Sequence, residues 1–276
     1  MALNITSLNS GSNGNCYYVG NKTDAVLIDA GLSLRETEKR MKKLGLDFHL
    51  VKAIFVTHEH GDHIKGVSTV ANKYKIPVYI TEMTAKHGPR LIGHLSKNFY
   101  PNESITVGSL NVTAFTKCHD AIDPHSFIVS YAGVTVGVLT DIGKVCKEVS
   151  SYFNKCNAVF LEANYDEALL KNGRYPVQLK NRIRGGLGHL SNSEALELFL
   201  KHRSPALSHI LLAHLSKENN SPEIAEALFN EHAENTKVVV ASRYQASEIY
   251  TITAGNTAAI PYKELPCKPV QMDLFN

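Results

Sequence analysis

The chain has 276 residues, 43% of them hydrophobic and 20% charged, enough to bury one large core. The formal net charge is only +3, which excludes a protein that coats a polyanion over its whole surface and leaves room only for a local basic patch. Five widely spaced cysteines (Cys16, Cys118, Cys146, Cys156 and Cys267) form no CxxC pair, which argues against a disulfide scaffold and against a thiolate zinc site.

The N-terminal residues lack the basic region and apolar run of a signal peptide, and no apolar stretch nears the roughly 20 residues of a membrane span. The expectation is a cytoplasmic protein with no membrane association. Residues 5–8 read as a strand, and Ser10-Gly-Ser-Asn-Gly-Asn15 as a tight polar loop. Residues 16–19 and 25–28 read as strands, the second running into Asp29. Ser33 predicts a helix start, with Glu36 completing a capping box and the helix reaching about residue 44. The mostly apolar run 51–56 reads as a buried strand that delivers Thr57 and a cluster of histidines. Helices are expected over about 65–75 and 83–95, with a strand at 77–80 between them.

Strands at 104–107, 110–115, 126–131 and 134–139 follow, joined in pairs by short glycine-containing turns that predict hairpins. The second half alternates: strand 158–161, helix 191–202, strand 209–213, helix 222–233, strand 237–241 and a last strand near 248–252. Strands mixed with helices in both halves predict two sheets with helices outside. Residues 1–256 are expected to form one domain, and 257–276, without clear period and with several prolines, a tail.

His58, His60, Asp62 and His63 fall within six residues just after an apolar strand. Residues two apart in a strand share a face, so His58 and His60 can aim at one point while the turn at Gly61 aims Asp62 and His63 at another. Imidazole and carboxylate suit Zn²⁺, Mn²⁺, Fe²⁺ or Ni²⁺, and the absence of nearby cysteine favours an open catalytic site.

The run Thr57-His-Glu-His-Gly-Asp-His63 resembles the THxHxDH signature of the metallo-β-lactamase superfamily. Further matches follow in order: Asp29 at a strand end, His119 in Lys-Cys-His-Asp, Asp141 in Leu-Thr-Asp-Ile-Gly, and His214 in Leu-Ala-His-Leu-Ser. The resemblance implies an α+β, αββα four-layer sandwich, two mixed sheets face to face with helices outside. It implies two divalent metal ions: His58, His60 and His119 at one, Asp62, His63 and His214 at the other, Asp141 between, and Asp29 orienting a histidine from behind. Such a pair can share a hydroxide nucleophile, and Asp62 belongs to the catalytic set.

Ser10-Gly-Ser-Asn-Gly-Asn-Cys-Tyr-Tyr18, His119-Asp-Ala121 with Pro124, Gly188-His-Leu-Ser-Asn192 and Ala213-His-Leu-Ser216 resemble the YycJ/WalJ-like family, akin to ribonuclease Z and β-CASP nucleases. That resemblance implies 5′-to-3′ DNA exonuclease activity in repair or replication. His125, where that family has a small or apolar residue, reads as an exposed side chain. Glu162 and His189 stand where related nucleases place a carboxylate and a histidine beside the scissile phosphate, to assist the leaving oxygen.

Lys171, Arg174, Tyr175, Lys180, Arg182 and Arg184 form a strip without acidic residues that suits a phosphate backbone and a stacked base, or is simply a solvated face. Ser12 and Asn13 could offer backbone N–H groups to a phosphate, or form an ordinary hairpin turn. The last residues, with Gln271, Leu274 and Phe275, resemble the peptide by which bacterial DNA enzymes dock on the replication sliding clamp; the alternative is that they tuck onto the chain itself. The same metals would also serve a thioester or lactone hydrolase, and a non-catalytic DNA- or clamp-binding adaptor is the alternative from another class.

Overall fold

Period-two alternation of apolar side chains builds the strands and decides which layer each side chain enters. The computed structural model describes residues 1–91 and 93–254. The first half contains β1 (Ala2–Asn9), β2 (Cys16–Gly20), β3 (Ala25–Ile28), α1 (Leu34–Lys43), β4 (Val51–Phe55), α2 (Gly61–Ile64), α3 (Val67–Tyr74), β5 (Val78–Tyr79), α4 (Glu82–His87) and β6 (Ser96–Lys97). Two hairpins follow, β7 (Ser104–Val107) with β8 (Leu110–Thr116), and β9 (His125–Tyr131) with β10 (Val134–Leu139). The rest alternates α5 (Lys147–Phe153), β11 (Ala158–Glu162), α6 (Glu167–Asn172), α7 (Val177–Ile183), α8 (Asn192–His202), β12 (His209–Ala213), α9 (Pro222–Asn230), β13 (Lys237–Val240) and β14 (Tyr250–Thr253).

One sheet has the order β14-β1-β2-β3-β4-β5-β6 and the other β13-β12-β11-β10-β9-β8-β7. In each, an antiparallel half passes into a parallel half, at β3–β4 and at β10–β11. Ile5, Val19, Ile28 and Phe55 from the first sheet meet Phe127, Val138, Phe160 and Leu211 from the second in a central core. Their strand neighbours face outward: Leu27 and Ile54 pack among residues of α1 and α3, while Val159 and Leu212 pack among residues of α5, α8 and α9. The layers are therefore helix, sheet, sheet, helix, as expected. Because β1, β3, β4, β8, β10, β11, β12 and β13 all run the same way relative to the neighbours that separate them, their carboxyl ends open on one rim. In sheets of this kind ligands bind at such a rim.

The structure corrects several local expectations. The helix expected over 65–75 is present as α3, but a separate short turn of helix, α2, precedes it and the two are broken at Gly66. Gly66 donates to Ala30 O at 2.7 Å, and a Cβ there would lie 1.9 Å from Leu32 O, so packing against the 30–32 turn overrides helix continuity. The stretch 83–95 is helical only through His87, where Gly88 and Pro89 end it, with a 3-10 turn at Gly93–Leu95. Ser33 does cap α1, but Glu36 holds Arg40 at 2.8 Å instead of returning a capping bond; the full capping box sits at Ser191 and Glu194 of α8. The short helices α5, α6 and α7 carry no strong apolar stripe and were not expected. His125 is buried, not exposed: it opens β9, donates from Nδ1 to Asp123 O at 2.9 Å, and stands edge-on to Phe99.

Candidate active site

The loop after β4 carries the histidine run to the rim. It is not a strand, as expected; His60 is the N-cap of α2, and the sharp turn there brings His58 Nε2 to 3.1 Å from His60 Nδ1. His119, beyond the end of β8, places Nε2 3.4 Å from the same His60 nitrogen and uses Nδ1 on Gly188 O at 3.0 Å. These three imidazoles form one group able to hold a metal ion.

A second group lies beside it. His63 Nε2 is 3.6 Å from Asp62 Oδ2 and 3.3 Å from Asp141 Oδ2, and His214 Nε2 is 3.6 Å from Asp62 Oδ2 and 3.4 Å from Asp141 Oδ1. Asp141 also groups with His58 and His63, so one carboxylate reaches both clusters. Behind His63, Asp29 accepts from His63 Nδ1 at 2.7 Å and from Thr57 N and Oγ1, both at 2.8 Å. Asp29, Asp141 and His214 each follow a strand end in the left-handed region, with φ of 59°, 54° and 56°. Asp and His tolerate that region better than branched residues do, and strain of this kind gathers at functional sites.

Four carboxylates (Asp29, Asp62, Asp141 and Glu162) are packed here with few cations. Burial alone would strip the histidines of charge, and it does so at His58, which is held well below its usual range, and at His119, held down to about 4. At His63 burial is outweighed by Asp141, Asp29 and Asp62, and the imidazole is pushed up to about 10. His214 rises likewise against burial, through Asp141, Asp62 and Glu162. Protons thus stand in for positive charge at the second cluster. Asp141 Oδ2 and His214 Nε2 are buried with no hydrogen-bond partner, so ligand atoms face the cluster unused. That donor set of imidazole and carboxylate, with surplus negative charge, fits divalent cations.

Glu162, at the end of β11, is fully buried. Burial opposes its charge, but His189 and His214 hold it down to about 2. Its Oε1 meets His189 Nδ1 at 2.7 Å and His214 Nδ1 at 3.2 Å, while Oε2 accepts from Ile142 N and Leu190 N. Both residues expected as a pair are therefore in contact. His189, with His60, Asp62, His119, Asp141 and His214, lines an open cavity of about 340 Å³.

The basic strip is partly incorporated. Tyr175 and Arg182 line this cavity, with Arg182 bonded to Asp120. Lys180 reaches Lys171 O at 2.8 Å, Arg184 turns to Asn181, and exposed Lys171 and Arg174 do not line it. Ser12 lines the cavity, whereas Asn13 donates to Arg243 O. The N–H groups of Gly11, Gly14 and Asn15 are taken by Asn15 Oδ1, Gly11 O and Asp62 O, whereas those of Ser12 and Asn13, the two expected to face a phosphate, have no acceptor among the described residues. Gln271, Leu274 and Phe275 lie outside the described residues.

Sequence reading missed the residues that brace the ligands. Asn15 Nδ2 lies 3.1 Å from Asp62 Oδ2 and 3.0 Å from His63 Nε2, its orientation set by Gly11 N and Tyr17 Oη on its Oδ1. Asn164 holds His214 O at 2.7 Å, Ser10 Oγ accepts from His214 N, and Glu59 accepts from Ile122 N, tying the histidine loop to the loop after β8. Lys117, buried two residues before His119, donates to Thr140 O. A Cβ on Gly31 would lie 1.7 Å from Asp62 O, so only glycine lets that turn support the loop. The polar Ser10–Asn15 run was the one signal for this bracing.

Fold and site together define a β-lactamase-superfamily hydrolase scaffold: the model of the β-lactamase superfamily domain matches residues 24–214. The chain is 37% identical over 229 residues to exodeoxyribonuclease YycJ of Bacillus anthracis, covering 82% of this chain and 87% of that protein. It is 33% identical over 224 residues to exodeoxyribonuclease WalJ of Streptococcus pneumoniae serotype 2 strain D39, covering 79% and 83%. The chain belongs to this exodeoxyribonuclease YycJ/WalJ family within the superfamily. The metallo-β-lactamase fold protein YhfI of Bacillus subtilis shares the fold, with a TM-score of 0.65 over 89% of this chain and 99% of that one at 14% identity. No helix among the described residues is long and apolar enough to cross a membrane.

Proposed function

We infer that this chain is a metal-dependent nuclease that degrades DNA from an end. The observation that carries the reading is the convergence, in one cavity, of two histidine–carboxylate groups with the Glu162–His189 pair, in a chain whose relatives are named exodeoxyribonucleases.

His58, His60 and His119 would hold one cation and Asp62, His63 and His214 a second, with Asp141 between. Such cations, Zn²⁺ or Mn²⁺ by donor type with Fe²⁺ or Ni²⁺ as alternatives, supply Lewis acidity toward phosphoryl oxygens and a water made nucleophilic at neutral pH. The protein's own residues do the rest. Asp29 fixes the His63 ring, and Asn15 and Asn164 brace Asp62 and His214. With His189 Nδ1 committed to Glu162, Nε2 is the ring atom left for the cavity, where a proton on it can pass to the leaving oxygen. Tyr175 and Arg182 at the rim suit a base and a phosphate.

The finer reading is 5′-to-3′ digestion in repair or replication, in the cytoplasm, by a domain of residues 1–256. Docking of residues 257–276 on the sliding clamp rests on the sequence resemblance alone; equal clamp binding by the full chain and by one ending at Cys267 would remove it. The central test is purified protein with Mn²⁺ or Zn²⁺ on end-labelled DNA and RNA. Stepwise shortening of DNA, abolished in His60→Ala and in Asp141→Ala, is expected. No cleavage with any metal, or cleavage that survives both substitutions, would refute the reading.

A further inference from the structure

The rim carries one basic and aromatic pair that the catalytic arrangement does not use. β13 runs parallel to β12, so its carboxyl end emerges beside that of β12, next to His214. The residues that follow are Ala241, Ser242, Arg243 and Tyr244. Arg243 packs its Cβ against Gly11, and its Nη2 donates to Ser12 Oγ at 3.1 Å. Ser12 in turn lines the catalytic cavity. The guanidinium has five N–H donors, of which the structure assigns that one; Nη1 is buried with no hydrogen-bond partner, and among the described residues Arg243 forms no ion pair. The donor within a phosphate's reach is Nη2, whose one partner, Ser12, is exposed and lines the cavity, so a phosphate that displaces Ser12 takes over its bond while Nη1 stays buried behind it.

Tyr244 is 71% exposed, and no aromatic or cationic neighbour covers its ring among the described residues. Its backbone is nonetheless fixed. Tyr244 N donates to Ser242 Oγ, and Tyr244 O accepts from Arg40, itself anchored on Leu8 O and Asn9 Oδ1. A bare ring on a clamped backbone is a stacking platform at little entropic cost. Across the cavity, Tyr175 and Arg182 repeat the same pair of chemistries.

We propose that Arg243 and Tyr244 form a binding subsite for single-stranded DNA, Arg243 taking a backbone phosphate and Tyr244 stacking on a base, so that the strand crosses the cavity between this loop and α7. The proposal rests on the nuclease reading and names where its substrate is held. It is tested by fluorescence anisotropy on the metal-loaded protein with a labelled, cleavage-resistant phosphorothioate strand of about 12 nucleotides, across a salt series. Arg243→Ala should weaken binding roughly 10-fold and reduce the slope of log Kd against log salt by about 0.7, one phosphate contact. Arg243→Lys should keep the slope. Tyr244→Ala should weaken binding roughly 10-fold with the slope unchanged, and Tyr244→Trp should restore it. A merely structural role would not separate slope from affinity in this way. An unchanged slope in Arg243→Ala, or wild-type affinity in Tyr244→Ala, overturns the subsite while wild-type cleavage leaves the nuclease reading standing. A wild-type protein that neither binds nor cleaves the strand overturns both.

Discussion

Asp29→Asn isolates what one buried carboxylate does for the metal groups behind which it stands. Asn tolerates the left-handed backbone at this position as Asp does, so the substitution removes charge without adding strain. Asp29 accepts three hydrogen bonds, two from Thr57 and one from His63. An amide offers one acceptor oxygen and a donor NH₂, so at least one of those donors loses its partner or faces another donor. A hydrogen bond to a charged group contributes about 1.5–3 kcal/mol. That range converts to roughly 10- to 100-fold, which is also the usual effect of removing an outer partner of a ligating histidine. Metal affinity, read by competition with a chromophoric chelator, should therefore fall by roughly that factor, with nuclease activity recovered by raising the metal concentration. Unchanged affinity with correct folding would refute the claim that Asp29 acts through His63.

Glu162→Gln and His189→Ala should each lower the rate of DNA cleavage roughly 10²- to 10⁴-fold while metal content, measured by elemental analysis, falls far less. Gly31→Ala should lower both thermal stability and metal content, because its Cβ would collide with the Asp62 carbonyl; a wild-type melting curve would count against this. Metal uptake near neutral pH should release protons, since His63 is pushed up to about 10 in the metal-free protein; calorimetry in buffers of differing ionisation heat reads the number. The same raised value means that His63 stabilises the metal-free fold fully below its ordinary 6.5 and loses that contribution as pH climbs toward about 10. The melting temperature of the metal-free protein should accordingly decline over that window, and the decline should flatten on adding metal.

The residues proposed as metal ligands were legible because their signals are local. His58, His60, Asp62 and His63 sit in one short run, and Asp29, Asp141 and His214 each follow an apolar strand, a pattern visible without knowing how the strands pair. What braces them was not legible. Asn15 acts on Asp62 from 47 residues away, and Ser10 on His214 from 204 away, so each is an ordinary loop residue until the sheets bring the rim together. The charges of the 171–184 strip were visible, but the two short helices that divide it were not, and they send Arg182 to the cavity while Lys180 caps a helix. His125 misled for the same reason: a polar residue next to Pro124 reads as surface, whereas its register at the start of β9 places it under Phe99.

The pairing of β14 with β1 has a geometric consequence for anything the enzyme is fastened to. Thr253 lies opposite Ala2, and β1 runs from there to the rim at Asn9. At roughly 3.4 Å per residue, the last described residues stand some ~25 Å from the rim, on the opposite edge of the molecule. The chain therefore leaves the described fold at its base, and anything that contacts this edge leaves the mouth of the cavity on the other side unobstructed.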